Sequence, residues 1–334
     1  MSEWKFIMNI KDNRLEFLAH IASLYYDQNK TQQEIADITG ITRSAISRSL
    51  DEAREKGVIQ ITVNYPWRTD SELEQALQTE FNLKAVRVLK RGDKTDAEVF
   101  SGLGKLAAEY FSSVVTQNSV IGISWGTLLY QTIRAIEKKS LPNVEVLQLV
   151  GGTGEEKGST IGPLLVPMMA ERLDCSCRFM NAPLITKNVE LTNHLMQERA
   201  IRETLERARD VDIALVGIGA LDLSIYNPYR LGYISTEEIS EMRAAGAVGD
   251  ICGYHFSIDG TVLDLDVNRR IVHVSLDVMR NINKVIGIAG GLIKAEAILG
   301  ALSGRLINVL ITDETAAQEV LRFRGMMDNK SKNK

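Results

Sequence analysis

Residues 31–48 read TQQEIADITGITRSAISR, and the spacing inside this stretch decides the first part of the fold. Thr31 followed three residues later by Glu34 is a capping-box pattern, in which each side chain satisfies the other residue's free backbone N–H. The helix it starts runs from Gln32 to Thr39 and ends at Gly40, which supplies the positive φ of a tight turn. Thr42 opens a second helix that continues to about Lys56 and stops at Gly57. Ala36 is small enough to let the two helices cross closely. Ile46 packs the second helix back on the first, aided by Ile35, Ile38, Ile41 and Leu50. Cap, small residue, glycine and apolar positions agree on a helix-turn-helix.

Outward from this stretch, Leu15, Leu18, Ala22 and Tyr25 recur at helical spacing within residues 14–28, with Ile21 beside them. Val58–Val63 alternates with a period near two and reads as a short strand, the wing of a winged helix. Residues 1–64 thus form a DNA-binding domain, and Pro66 and Trp67 belong to a linker over 65–84. The N-terminal end of the second helix is the part that enters a major groove. The candidate DNA-facing residues are Thr31 and Gln32 on the first helix, with Thr42, Arg43, Ser44, Ser47 and Arg48 on the second. Arginine can bind guanine bidentately, while Ser and Thr suit phosphate.

The whole chain carries a formal net charge of −4, which argues against nonspecific coating of nucleic acid. Even residues 1–64 hold eight Lys/Arg against nine Asp/Glu. What matters is distribution: between Ile38 and Leu50 lie Arg43 and Arg48 and no acid. The acids return at Asp51, Glu52 and Glu55.

From about residue 85 the texture changes. Apolar strand candidates at 85–89, 119–123, 144–150, 211–218, 284–289 and 306–311 alternate with helical stretches at 97–111, 127–138, 162–172, 193–208, 292–302 and 314–324. That alternation implies a largely parallel α/β sheet over 85–325, followed by a disordered tail at 326–334. Several strands end in glycine turns, the place where open α/β sheets bind ligands. A phosphate needs several N–H donors at a helix N-terminus, and Gly126-Thr127 offers that geometry. Gly290-Gly291, ahead of the helix bearing Lys294, offers a second.

The order of TQQEIADITGITRSAISRSLDEAREKGVIQI, GISWGTLLY (122–130), VEVLQLVGG (144–152), DIALVGIGA (212–220), AGAVGDICG (245–253), IAGGLIKAEAILGAL (288–302) and LITDETAA (310–317) resembles the SorC/DeoR-type sugar-responsive bacterial regulators. The resemblance covers residues 14–321. It implies a Rossmann-like α/β effector domain of the phosphosugar isomerase/glucosamine-phosphate deaminase type. It also implies homo-oligomers, commonly tetramers, whose grip on operator double-stranded DNA responds to a phosphorylated sugar. Carried over residue by residue, Ser124, Gly126 and Thr127 and the turn Gly151-Gly152-Thr153 would supply N–H groups and hydroxyls to phosphate or sugar. Asp250 would accept hydrogen bonds from sugar hydroxyls. Gly291 and Lys294 would hold an anionic group. The competing reading is a sugar-phosphate isomerase or deaminase with an accessory DNA-binding domain.

Other chemistries find little support. GLGKLA (102–107) and GIGALD (217–222) lack the third glycine of a dinucleotide fingerprint. GGTGEEKGST (151–160) lacks the Gly-Lys-Ser/Thr of a phosphate loop, since Gly158 follows Lys157. Cys175 and Cys177 have no partner pair for a metal, and His20, His194, His255 and His273 are scattered. No cofactor, metal or catalytic triad is expected. The three cysteines fit a reducing compartment, and neither a secretory signal nor a membrane span is visible, so a cytoplasmic location is expected.

Overall fold

The computed structural model describes residues 14–59, 67–152 and 164–332. It divides into two compact units, Met1–Pro66 and Trp67–Lys334.

In the first unit, helices span Arg14–Tyr26, Gln32–Thr39 and Arg43–Glu55. The Thr31 side chain accepts from the Glu34 N–H while the Glu34 carboxylate accepts from the Thr31 N–H at 2.8 Å, so the capping box forms. Gly40 takes φ 66°, as the turn demands. Thr42 caps the third helix by accepting from the Ala45 N–H. Phe17, Leu18, Ile21, Leu24, Ile35, Ala36, Ile46, Leu50 and Ala53 form the core. Ile38 does not join it: at 45% exposure it points outward, and so does Leu15. Of the expected wing at 58–63, Val58 and Ile59 pack on the core, and the remainder lies outside the described residues.

Among the described residues the second unit holds ten strands: β1 (Ala85–Leu89), β2 (Val120–Ile123), β3 (Glu145–Gln148), β4 (Ser176–Arg178), β5 (Ile213–Gly217), β6 (Gly219–Ala220), β7 (Ala247–Ile251), β8 (Tyr254–Ser257), β9 (Lys284–Ile288) and β10 (Val309–Asp313). Seven make one sheet in the order β1-β10-β9-β5-β2-β3-β4, every pair parallel. A parallel sheet is covered on both faces, and its strands are accordingly apolar almost throughout. Two core clusters, one on each face, meet that requirement. β6, β7 and β8 form a small antiparallel sheet that the hydrophobic pattern did not announce. Their hairpin turns on Cys252 (φ 50°) and Gly253 (φ 82°), the two-residue left-handed turn that suits strand twist.

Two expected boundaries move. The stretch 65–84 is not a free linker: a helix over Ser71–Phe81, capped by Asp70, buries Leu77 and packs against β1. Backbone bonds from the Asp70 N–H to the Val88 carbonyl and from the Lys90 N–H to the Arg68 carbonyl stitch its start to β1. The final helix runs over Glu314–Lys332 instead of stopping near 325, with Ala316, Ala317 and Val320 buried beneath its first turns.

The sheet order fixes where a ligand can enter. After β2 the chain builds outward through β3 and β4, then returns to lay β5 on the other side of β2. At this reversal the connections leave in opposite directions, and a crevice opens at the carboxyl ends of β2 and β5.

Candidate effector cavity and DNA-reading face

A cavity of about 340 Å³ occupies that crevice. Four strand ends build it: Ser124–Thr127 after β2, Gly217–Ala220 after β5, Ile288–Gly291 at β9, and Asp313 closing β10. Ser124, Gly126, Thr127, Asp250, Gly291 and Lys294, all singled out from the sequence, line it together.

Gly126 adopts φ 152° and ψ 148°, a conformation nearly confined to glycine. It precedes the helix Thr127–Ala135, whose N-terminus carries no side-chain cap. The first-turn N–H groups of an α-helix have no partner inside the helix, and the peptide dipoles add partial positive charge there. An uncapped N-terminus facing a cavity is therefore ready for an anion. Ser124 is buried, and its Oγ accepts from the Gly217 N–H at 3.2 Å, tying the β2 and β5 ends together.

Lys294 and Asp250 supply the charges. Lys294 is half-buried, and its ammonium donates to the Ile218 carbonyl. Burial pushes its pKa down, while the Asp250 carboxylate pulls the other way. It closes a 3-10 turn at Leu292–Lys294, and the helix proper, Ala295–Ser303, begins just after it. Asp250 on β7 is 6% exposed, and a Cβ on Gly219 would sit 2.0 Å from its Oδ1. Only a glycine on β6 lets this carboxylate occupy its place.

The Gly290-Gly291 turn works differently from expectation. Gly291 has φ 88°, but its N–H donates to Asp313 Oδ2 and is not open to a ligand. Asp313 Oδ1 accepts from the Ala316 N–H at 3.0 Å, so one buried carboxylate pins this turn and caps the final helix.

The Gly151-Gly152 turn is a correction. Neither glycine lines the cavity. The Gly151 N–H donates to the Val272 carbonyl at 2.7 Å and the Gly152 N–H to the Ala182 carbonyl at 2.8 Å. Both amides are thus engaged by backbone, because β3 lies on the far side of β2 from the crevice. Thr153 lies outside the described residues.

Sequence reasoning missed Tyr226, Asp313, Arg91 and Arg230, all of which line the cavity. The Tyr226 hydroxyl meets His255 Nε2 at 2.6 Å, and His255 Nδ1 meets Asn268 Oδ1 at 2.6 Å. That Asn268 oxygen also accepts the His255 backbone N–H, so His255 Nδ1 carries the hydrogen and Nε2 accepts from Tyr226. Burial, with the Asp250 charge adding to it, raises the Tyr226 pKa and keeps its hydroxyl protonated. The Arg91 guanidinium is held by Asp96, while Arg230 is exposed with no partner among the described residues. Only the three-dimensional closure of the loops brings these residues to one place.

In the first unit the arginines fall into two classes. Arg14 and Lys56 both engage Glu52, pulling its carboxyl down to about 2. Arg54 engages Asp51 and the Tyr26 hydroxyl. Arg43 and Arg48, by contrast, are exposed and unpaired among the described residues. Thr31, Thr42 and Ser44 are also exposed, Gln32 and Ser47 half-buried. Exposed cations in the first half of the helix Arg43–Glu55 are what a phosphate backbone or guanine edge needs.

Comparison with known proteins decides the family. The Sugar-bind family of sugar-binding domains matches residues 65–322, and the sigma-70 region 4 model matches residues 19–56. The chain belongs to the SorC-type family of sugar-binding transcriptional regulators. It is a sugar-responsive, DNA-binding regulator. It is 32% identical to the deoxyribonucleoside regulator of Bacillus subtilis, over 90% of this chain and 95% of that one. It is 34% identical to the transcriptional regulator LsrR of Enterobacter sp., over 93% and 94% respectively. The full-length sorbitol operon regulator SorC of Klebsiella pneumoniae superposes with a TM-score of 0.69 at 30% identity, covering 92% of this chain and 99% of SorC. No helix among the described residues is long and apolar enough to cross a membrane.

Proposed function

We propose that this regulator binds a phosphorylated sugar in the crevice between β2 and β5, and that occupancy alters its hold on operator DNA. The observation that carries the reading is the uncapped N-terminus at Gly126-Thr127 sharing one cavity with Lys294 and Asp250. The phosphate lies against the Gly126 and Thr127 amides and the Ser124 and Thr127 hydroxyls. Lys294 adds a point charge, and Asp250 accepts from sugar hydroxyls. Gly291 keeps the opposite wall free of a side chain.

On the DNA side, Arg43 and Arg48 contact base edges or phosphates, with Thr31, Gln32, Thr42, Ser44 and Ser47 around them. The regulated genes serve carbohydrate metabolism, a reading supported by relatives named for sorbitol and deoxyribonucleosides. The chain acts in the cytoplasm as a homotetramer and not as an enzyme; the relatives it resembles are regulators.

A mobility shift on the protein's own promoter DNA, run with a panel of sugar phosphates, tests both halves. Arg48→Ala should weaken operator binding by about 1–3 kcal/mol while leaving folding and ligand binding intact. Lys294→Ala should bind operator normally and lose the response to ligand. If no sugar phosphate changes either DNA binding or thermal stability of the wild-type protein, the effector reading fails.

A further inference from the structure

The Gly102-Leu103-Gly104 run, set aside as a dinucleotide motif, occupies the middle of the helix Asp96–Val114, and each of its residues makes a contact with no slack. A Cβ on Gly102 would sit 2.6 Å from the Trp67 ring. Leu103 fills the place of a side chain at Gly290, where a Cβ would lie 2.5 Å from Leu103 Cδ1. A Cβ on Gly104 would sit 2.8 Å from the Gln131 Cβ. Gln131 belongs to the helix that begins at Gly126-Thr127. Gly290 belongs to the turn held by Asp313 beside Lys294. One helix is therefore wedged against both cavity-lining turns on one side and against Trp67 on another. Its residues Val99, Phe100 and Leu103 also line the cavity.

Trp67 is the first residue of the larger unit, the point where the chain arrives from the reader. The Lys105 ammonium lies 5.6 Å from the indole centroid, so the ring is held on a second side. Close-packed interiors pass on displacement instead of absorbing it.

We infer that the Gly102-Leu103-Gly104 helix is the transmission element of this regulator, and that Trp67 is the residue through which the state of the cavity reaches the reader. The inference rests on the reading of the cavity as the effector site. A ligand that draws the Gly126 and Gly290 turns together moves the helix through Gly104 and Leu103. Gly102 then moves the Trp67 ring, and with it the chain leading back to the reader.

The test measures operator affinity of the full-length protein without any sugar phosphate, for wild type, Gly102→Ala and Trp67→Ala. Gly122→Ala serves as the control, because its Cβ would crowd Leu149 at 2.6 Å, in the core cluster on the sheet face opposite the one that holds Val99, Leu103 and Trp67. Gly102→Ala and Trp67→Ala should each shift operator affinity by about fivefold or more. Gly122→Ala should lower the thermal midpoint yet leave operator affinity unchanged. Equal affinity for wild type, Gly102→Ala and Trp67→Ala overturns the inference, and so does an equal shift in the Gly122→Ala control. A second arm adds ribose 5-phosphate, deoxyribose 5-phosphate, sorbitol 6-phosphate or fructose 1,6-bisphosphate and reads thermal midpoint alongside DNA release. If one of them stabilises both wild type and Trp67→Ala but releases DNA only from wild type, transmission through Trp67 is supported directly. Release from both overturns it. If none stabilises the wild type, the effector reading fails, and the ligand-free arm still decides the inference.

Discussion

Two turns of this regulator look alike in sequence and do opposite things. Ser124-Trp125-Gly126-Thr127 and Val150-Gly151-Gly152 each follow a parallel strand, and both were expected to cradle phosphate. The first opens onto the cavity, and a Cβ on Gly126 would meet nothing within 4 Å. The second is filled: a Cβ on Gly151 would lie 2.3 Å from the Pro183 carbonyl oxygen. A glycine after a strand can make room for a ligand or for the protein's own backbone. The strand's position in the sheet decides which. β2 borders the reversal in strand order, while β3 has β4 on its outer side.

The contrast can be broken by substitution, and the largest effect belongs to the filled turn. Gly151→Ala forces a methyl group into backbone and should cost about 3 kcal/mol of stability, as overpacking does. Urea unfolding reads this as a lower midpoint at unchanged slope; a midpoint matching the wild type would mean the turn has slack.

Acid should also act beside the filled turn. His273 bridges to Val150 beside it, and burial lowers its pKa to about 4. The Cys252 carbonyl partly opposes that shift, while His255 adds to it, and the Tyr254 ring lies 4.0 Å away. The unfolded chain binds a proton on this histidine near pH 6.5, whereas the folded one resists until about 4. Unfolding is therefore favoured as pH falls through that window, by about 2 kcal/mol at pH 5 relative to pH 8. His273→Asn should remove that part of the pH dependence, which denaturation at the two pH values would show.

Gly126→Ala is the smallest of the three in stability. The open space admits the methyl group, and only the backbone strain at φ 152° remains, about 1–2 kcal/mol. Its ligand response should nevertheless be lost, because strain relief turns the Gly126 and Thr127 amides away. Calorimetry with a sugar phosphate that binds wild type separates the two: Gly151→Ala should keep its affinity, Gly126→Ala should not.

The same contrast explains what could be read from the chain alone. Local signals survived: the Thr31 cap, the Gly40 turn and the apolar runs of β1, β2, β5 and β9 stand where periodicity and turn chemistry put them, while β10, expected at 306–311, spans Val309–Asp313. Ser124, Gly126, Thr127, Asp250, Gly291 and Lys294 also share one cavity. Whatever depends on the order of strands was not legible. Gly151 and Gly152 failed for that reason, and Asp313 was passed over because its partners, Gly291 and Ala316, flank it at unequal distances along the chain. The helix Ser71–Phe81 was missed because it shows a single fully buried side chain, Leu77, against four acidic or amide residues on its outer face. β6, at two residues, is too short to carry any period.

At one edge of the sheet the strand that β1 pairs with is β10: Ala85 lies opposite Val309 and Leu89 opposite Asp313. The effector unit thus closes with its first strand against its last, across nearly its whole length. On the ribosome β1 waits for its partner strand until residue 313 has emerged, while the reader's described helices, made of near neighbours, can already be complete. A message broken late in the gene would accordingly release a reader attached to a sheet that cannot close: a regulator deaf to its signal.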